Sequence, residues 1–190
     1  MSVAPVEVFS RTIFSLRQAF SESATFQAAT GHTGDAAATL DHIWPDQIEL
    51  DDYPLENGKQ VEALGGDPIR PFVQITAIPG YTASIVAGGS NSIHSAGNNV
   101  LQVMLESDMP DAYSGNVLTR SEIFDAQITF LNFVGSVWKE VLVKSGTVGY
   151  PFFDNLSLIF PYSRATGNDK QKYGNFQVMV FTLDVGGRAT

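Results

Sequence analysis

Residues 119–142 read TRSEIFDAQITFLNFVGSVWKEVL, and this stretch decides the fold class. Thr119-Arg120-Ser121-Glu122 fits a capping box, the Thr119 hydroxyl reaching forward and the Glu122 carboxylate reaching back. Behind it Phe124, Ile128, Leu131, Gly135, Trp138 and Leu142 recur at steps of four, three, four, three and four. That is the stripe of an amphipathic helix, and Gly146 supplies its stop. The spacing predicts that the Phe124–Leu142 stripe packs on a sheet, with Gly135 admitting close approach of another backbone. On this reading Leu131→Asp buries an unpaired carboxylate and threatens the whole domain.

The flanking sequence supplies the sheet. Phe72 to Ile78 is rich in β-branched residues and ends at Pro79-Gly80, a strand followed by a turn. Tyr81 to Ala87 and Val100 to Glu106 read as two more strands. Between them the GGSNSIHSAGNN stretch, at about 88–99, reads as a long hairpin loop. After the helix, Asn155 to Tyr162 alternates apolar residues on one face. Asn175 to Asp184 has the dense apolar run of a central strand covered on both sides. Ser163 to Gly174 joins these two as a polar hairpin carrying Arg164, Lys170 and Lys172.

Upstream, Phe9, Ile13, Leu16 and Phe20 mark a first helix over Val6 to Ala28, with Pro5 in its first turn and Gly31 as its stop. The chain then turns acidic. Eight acids lie between Asp41 and Asp67 beside one cation, Lys59, and residues 46–68 show neither helical nor strand period. They read as an acidic loop insertion, either a solvated arm or a docking surface carrying Asp51, Asp52 and Glu56. Trp44, within Ile43-Trp44-Pro45, anchors that arm on its own subunit or packs against a neighbour. The expectation for residues 1–190 is a single α+β domain. Its antiparallel or mixed sheet has about five strands, with two main helices packed on one face.

Composition narrows the function. The chain has 190 residues and a formal net charge of −9, with 44% hydrophobic residues and no cysteine. The apolar share suffices for a core. Without cysteine there is no disulfide and no thiolate chemistry. The acidic balance argues against a nucleic-acid binder. No stretch approaches 18 apolar residues, and Met1 to Ser10 shows no secretory signal.

Motifs for catalysis are equally scarce. His32 and His42 stand ten residues apart and read as solvated loop histidines, short of a zinc ligand pattern. His94 has serines nearby but no rigid nucleophile turn. The phosphate-loop, dinucleotide and calcium-loop spacings are missing. The expectation is therefore no catalytic residue, no cofactor and no metal.

The order of elements carries a resemblance. An N-terminal helix leads to Ile43-Trp44-Pro45, and Arg70-Pro71-Phe72-Val73 opens a strand. A VLQVMLE strand precedes a long helix ending near a tryptophan, and a strand pair with a polar hairpin closes the chain. This arrangement resembles the tail-terminator (tail-completion, head–tail joining) proteins of tailed bacteriophages. The resemblance implies a structural virion protein, without catalytic residues, made in the host cytoplasm and placed in the tail or neck. It implies a homo-oligomeric ring, hexameric in that family, that caps the tail tube. Its partners would be the tail-tube protein and the head–tail connector or neck proteins, with no sequence-specific nucleic acid and no membrane. The acidic insertion and the 88–99 loop depart from a minimal member. Another neck or tail protein, such as a tail-tube or head-closure subunit, and a small-ligand-binding domain are the alternatives. Trp44, Asp51, Asp52, Glu56, Arg164, Lys170 and Lys172 are the candidate subunit-contact residues.

Overall fold

The computed structural model describes residues 5–44, 70–77, 85–87, 93–95, 100–110, 117–147, 152–166, 175–186 and 188–189. In chain order the elements are α1 (Pro5–Ser21), α2 (Ala24–Ala29), α3 (Ala36–Thr39), β1 (Ile43–Trp44), β2 (Phe72–Ala77), β3 (Ile85–Ala87), β4 (Ile93–Ser95), β5 (Val100–Asp108), α4 (Arg120–Val143), β6 (Phe152–Thr166), β7 (Asn175–Gly186) and β8 (Arg188–Ala189). The fold class is α+β, with helices packed on a three-stranded antiparallel sheet of β2, β5 and β7.

The strand period of two sorts these residues onto two faces. Val73 and Ile75 oppose Leu105 and Val103. Leu101, Val103 and Leu105 in turn oppose Leu183, Phe181 and Met179. All are buried, and they meet Leu16, Ala19 and Phe20 of α1, Phe26 of α2, and Phe130, Val134, Val137, Trp138 and Val141 of α4. Trp138 lies edge-on between Phe20 and Phe181, with centroids 5.2 and 5.3 Å away. On the other face Phe176 and Val178 are buried too, as a covered central strand requires. β1 runs parallel to β2, with Trp44 opposite Gln74, and β6 runs antiparallel to β7.

The capping box at the head of α4 is formed in both directions. The stripe predicted for this helix is not the buried one. Phe124, Ile128 and Leu131 are exposed, while Ala126, Phe130, Val134, Val137, Trp138 and Val141 face the core. Of the expected row, Trp138 is buried and Leu142 is partly so. Gly135 is exposed too, and a Cβ placed there would meet nothing within 4 Å. The physical reason is that α4 carries two apolar rows, each spaced by threes and fours. Only the sheet decides which is covered.

The first helix also differs from its expectation, because it breaks in two. Ser23 takes an extended conformation, and its hydroxyl accepts from the Phe26 amide to cap α2. Leu16 and Phe20 are fully buried, as the stripe in α1 requires. Gly31, at φ 79°, and Gly146, at φ 75°, follow the ends of α2 and α4. Within the expected 88–99 loop, Ile93–Ser95 forms β4, which pairs with β3 and β8. The acidic insertion 46–68 lies outside the described residues.

Candidate functional site

Three groupings of polar or exposed side chains stand out. The first is on the sheet face away from the helices. The Arg70 side chain is fully enclosed. Its Nε donates to Glu106 Oε1 at 2.6 Å and its Nη1 to Asp108 Oδ1 at 3.1 Å. The guanidinium lies 4.6 Å from the centroid of the Phe176 ring. Strand register makes this cluster: Phe72 opposes Glu106, and Asp108 opposes Phe176. Burial raises the Glu106 carboxyl and the Asp108 charge adds to this, and although Arg70 pulls it down it stays raised, at about 7. The triad ties the ends of β2, β5 and β7 together. Its enclosure suits a structural role.

The second grouping joins the start of α2 to α4. Glu140 accepts from the Ser23 hydroxyl at 2.6 Å and from the Thr25 amide at 3.2 Å, and also from the Thr25 hydroxyl. Burial acts to raise the Glu140 carboxyl, but the bonds from Ser23, Thr25 and Ala24 outweigh it and hold it below its usual value. A carboxylate at the first turn of α2 also meets the positive end of the peptide dipoles. Lys144 pairs with Glu22 across the same junction. Nearby, His42 corrects the expectation of a solvated loop residue. It is buried, its Nδ1 is 2.8 Å from the Pro71 carbonyl oxygen, and its ring centroid lies 5.4 Å from that of His32. Burial lowers its pKa, the Pro71 bond acts against that, and His32 lowers it further. No group of three or more metal-ligating side chains occurs among the described residues.

The third grouping is a cleft of about 830 Å³ between the N-terminal half of α4 and the end of β5. Met109, Phe130 and Phe133 supply apolar wall, and Asp108, Glu122 and Asp125 supply carboxylates. No Lys, Arg or His is among the described lining residues. Beside it on α4 runs the exposed row of Phe124, Ile128 and Leu131, 63%, 54% and 38% accessible.

The structure does not bring the sequence candidates together. Trp44 sits in β1, pairing with Gln74, and Arg164 sits in β6 opposite Gln177. Asp51, Asp52, Glu56, Lys170 and Lys172 lie outside the described residues. His94 is in β4, opposite Val86 and Arg188 in the ladder. Sequence reasoning missed Arg70 with Glu106 and Asp108, since those partners are 36 and 38 residues apart. It also missed the cleft, whose walls come from separate segments. No family model matches the sequence, and no curated protein matches it.

Proposed function

We propose that this protein is a structural virion subunit of a tailed bacteriophage. It forms a ring, six copies in the reading favoured here, that terminates the tail tube and joins it to the head connector. The observation that carries the reading is the exposed row Phe124, Ile128 and Leu131 on α4. Contiguous apolar surface left to solvent marks a contact with another protein. Head-to-tail contact between copies closes into a ring when the rotation permits. The order of elements supports the tail-terminator resemblance, and the flanking ladders of β1 and β6 support a mixed sheet of about five strands. On this reading the chain has no enzymatic activity and needs no cofactor. It is made in the host cytoplasm and resides in the tail or neck of the particle, against the tail-tube and connector proteins.

Negative-stain electron microscopy of the purified protein tests this. Rings of uniform diameter are the expected image. A field of single small particles at high protein concentration contradicts the proposal.

A further inference from the structure

The acid-lined cleft at the head of α4 holds Asp108, Glu122 and Asp125 against apolar walls that include Phe130 and Phe133, without a cation among its described lining residues. Asp108 shares Arg70 with Glu106, and Glu122 caps α4, so both have internal duties. Asp125 is exposed and has no ion-pair partner among the described residues. The matching chemistry is a cation on an aliphatic stem. Its methylenes lie along the apolar wall while its charge reaches the carboxylates or an aromatic face.

This chain carries such a group. In a protein of net charge −9, residues 164–172 are the one nine-residue window with three cations, Arg164, Lys170 and Lys172, beside a single acid, Asp169. Arg164 lies near the end of β6, and Lys170 and Lys172 follow in the stretch between β6 and β7. A closed head-to-tail ring needs two unlike, complementary patches on each chain. The cleft and the basic stretch form such a pair, and the exposed row of α4 adjoins the cleft on the same helix.

We infer that the cleft formed by α4 and the end of β5 receives the basic 164–172 stretch of a second copy of this chain. This inference rests on the ring reading above and names its contact. Charges at an interface rim are screened over about 8 Å at physiological ionic strength, so the contact weakens as salt rises.

Two full-length variants test it by sedimentation velocity, with a thermal melt confirming that each folds. Asp125→Lys disables the cleft, and the pair Lys170→Glu and Lys172→Glu disables the basic stretch. Each alone should associate at least tenfold more weakly than the wild-type chain and sediment as monomer where that chain is a closed oligomer. Mixed in equal amounts they should associate again, because Asp125→Lys keeps the basic stretch, the Lys170→Glu and Lys172→Glu chain keeps the cleft, and the two altered patches are themselves opposite in charge. Should Asp125→Lys fail to fold, Asp125→Asn replaces it, with the same direction of effect and weaker salt dependence than the wild type. Variants that assemble like the wild type overturn this contact and leave the ring reading standing. A mixture that stays monomeric also overturns it, since the charges then act within one chain. A wild-type chain that is monomeric at every concentration removes the ring reading and the contact with it.

Discussion

The two apolar rows of α4 obey the same spacing and meet opposite fates. Phe130, Val134, Val137 and Val141 join the core against the sheet, while Phe124, Ile128, Leu131 and Gly135, the N-terminal part of the other row, face outward. Periodicity fixes that a helix forms and how its rows are spaced. Which row is buried depends on what covers it. The sheet offers Val103, Phe181 and Leu183 to one row, and Phe124, Ile128 and Leu131 of the other stay exposed.

The largest effect that can break this contrast is Val137→Asp. Val137 is fully buried in the core cluster. An unpaired carboxylate there costs several kcal/mol, a large part of a typical total of about 5–15 kcal/mol. The variant should lose its cooperative melt. A folded Val137→Asp protein with an unchanged midpoint would mean that the helix has been assigned the wrong face. Next comes Glu140→Ala, which removes the carboxylate shared by Ser23 and Thr25. Loss of a helix-capping interaction costs about 1–2 kcal/mol. Amide exchange should speed up in α2 first.

The sheet shows a related contrast between an apolar face and one that buries ions. Glu106 is held above its ordinary range, at about 7. A carboxyl raised in the fold contributes stability below its unfolded value, and that contribution is lost as pH rises through the folded value. Relative to Glu106→Gln, the wild-type protein should lose stability between about pH 5 and pH 8. His42, whose pKa is lowered, works in the opposite sense in both proteins and cancels in the comparison. Denaturant midpoints for the pair across that range check the sign. A constant difference would show that Glu106 keeps its ordinary pKa.

The smallest effects sharpen the outer row. Gly135→Ala fills open space in a helix interior, where alanine is favoured by about 1 kcal/mol. The melting temperature should rise by about 2–4 °C for a chain of this size. A fall would place another backbone against Gly135 within the monomer. Ile128→Ser should change monomer stability by no more than about 0.5 kcal/mol, as surface substitutions do, while reducing self-association.

Much of this fold was legible in the residues. The Thr119–Glu122 box, the stops at Gly31 and Gly146, and the strand segments at 100–106 and 175–184 are local signals, and the chain obeys them locally. The burial phase of α4 was not legible, because two rows satisfy one rule. The break at Ser23 was hidden because Glu140, which receives its hydroxyl, lies 117 residues away. His42 read as a loop residue because the Pro71 carbonyl that holds it comes 29 residues later. The acid-lined cleft was the least legible. A run of charge in sequence, such as Asp51, Asp52 and Glu56, does not reveal which carboxylates share a cleft: Glu122 and Asp125 lie one turn apart on α4, and Asp108 joins them only through the packing of α4 on the end of β5.

The central claim is self-association into a closed ring, and native mass spectrometry over a range of protein concentrations tests it most directly. The account predicts one dominant oligomer of fixed stoichiometry, six copies of the 20.6 kDa chain, that persists on dilution at low salt and dissociates as salt rises. Monomer alone at every concentration would contradict it.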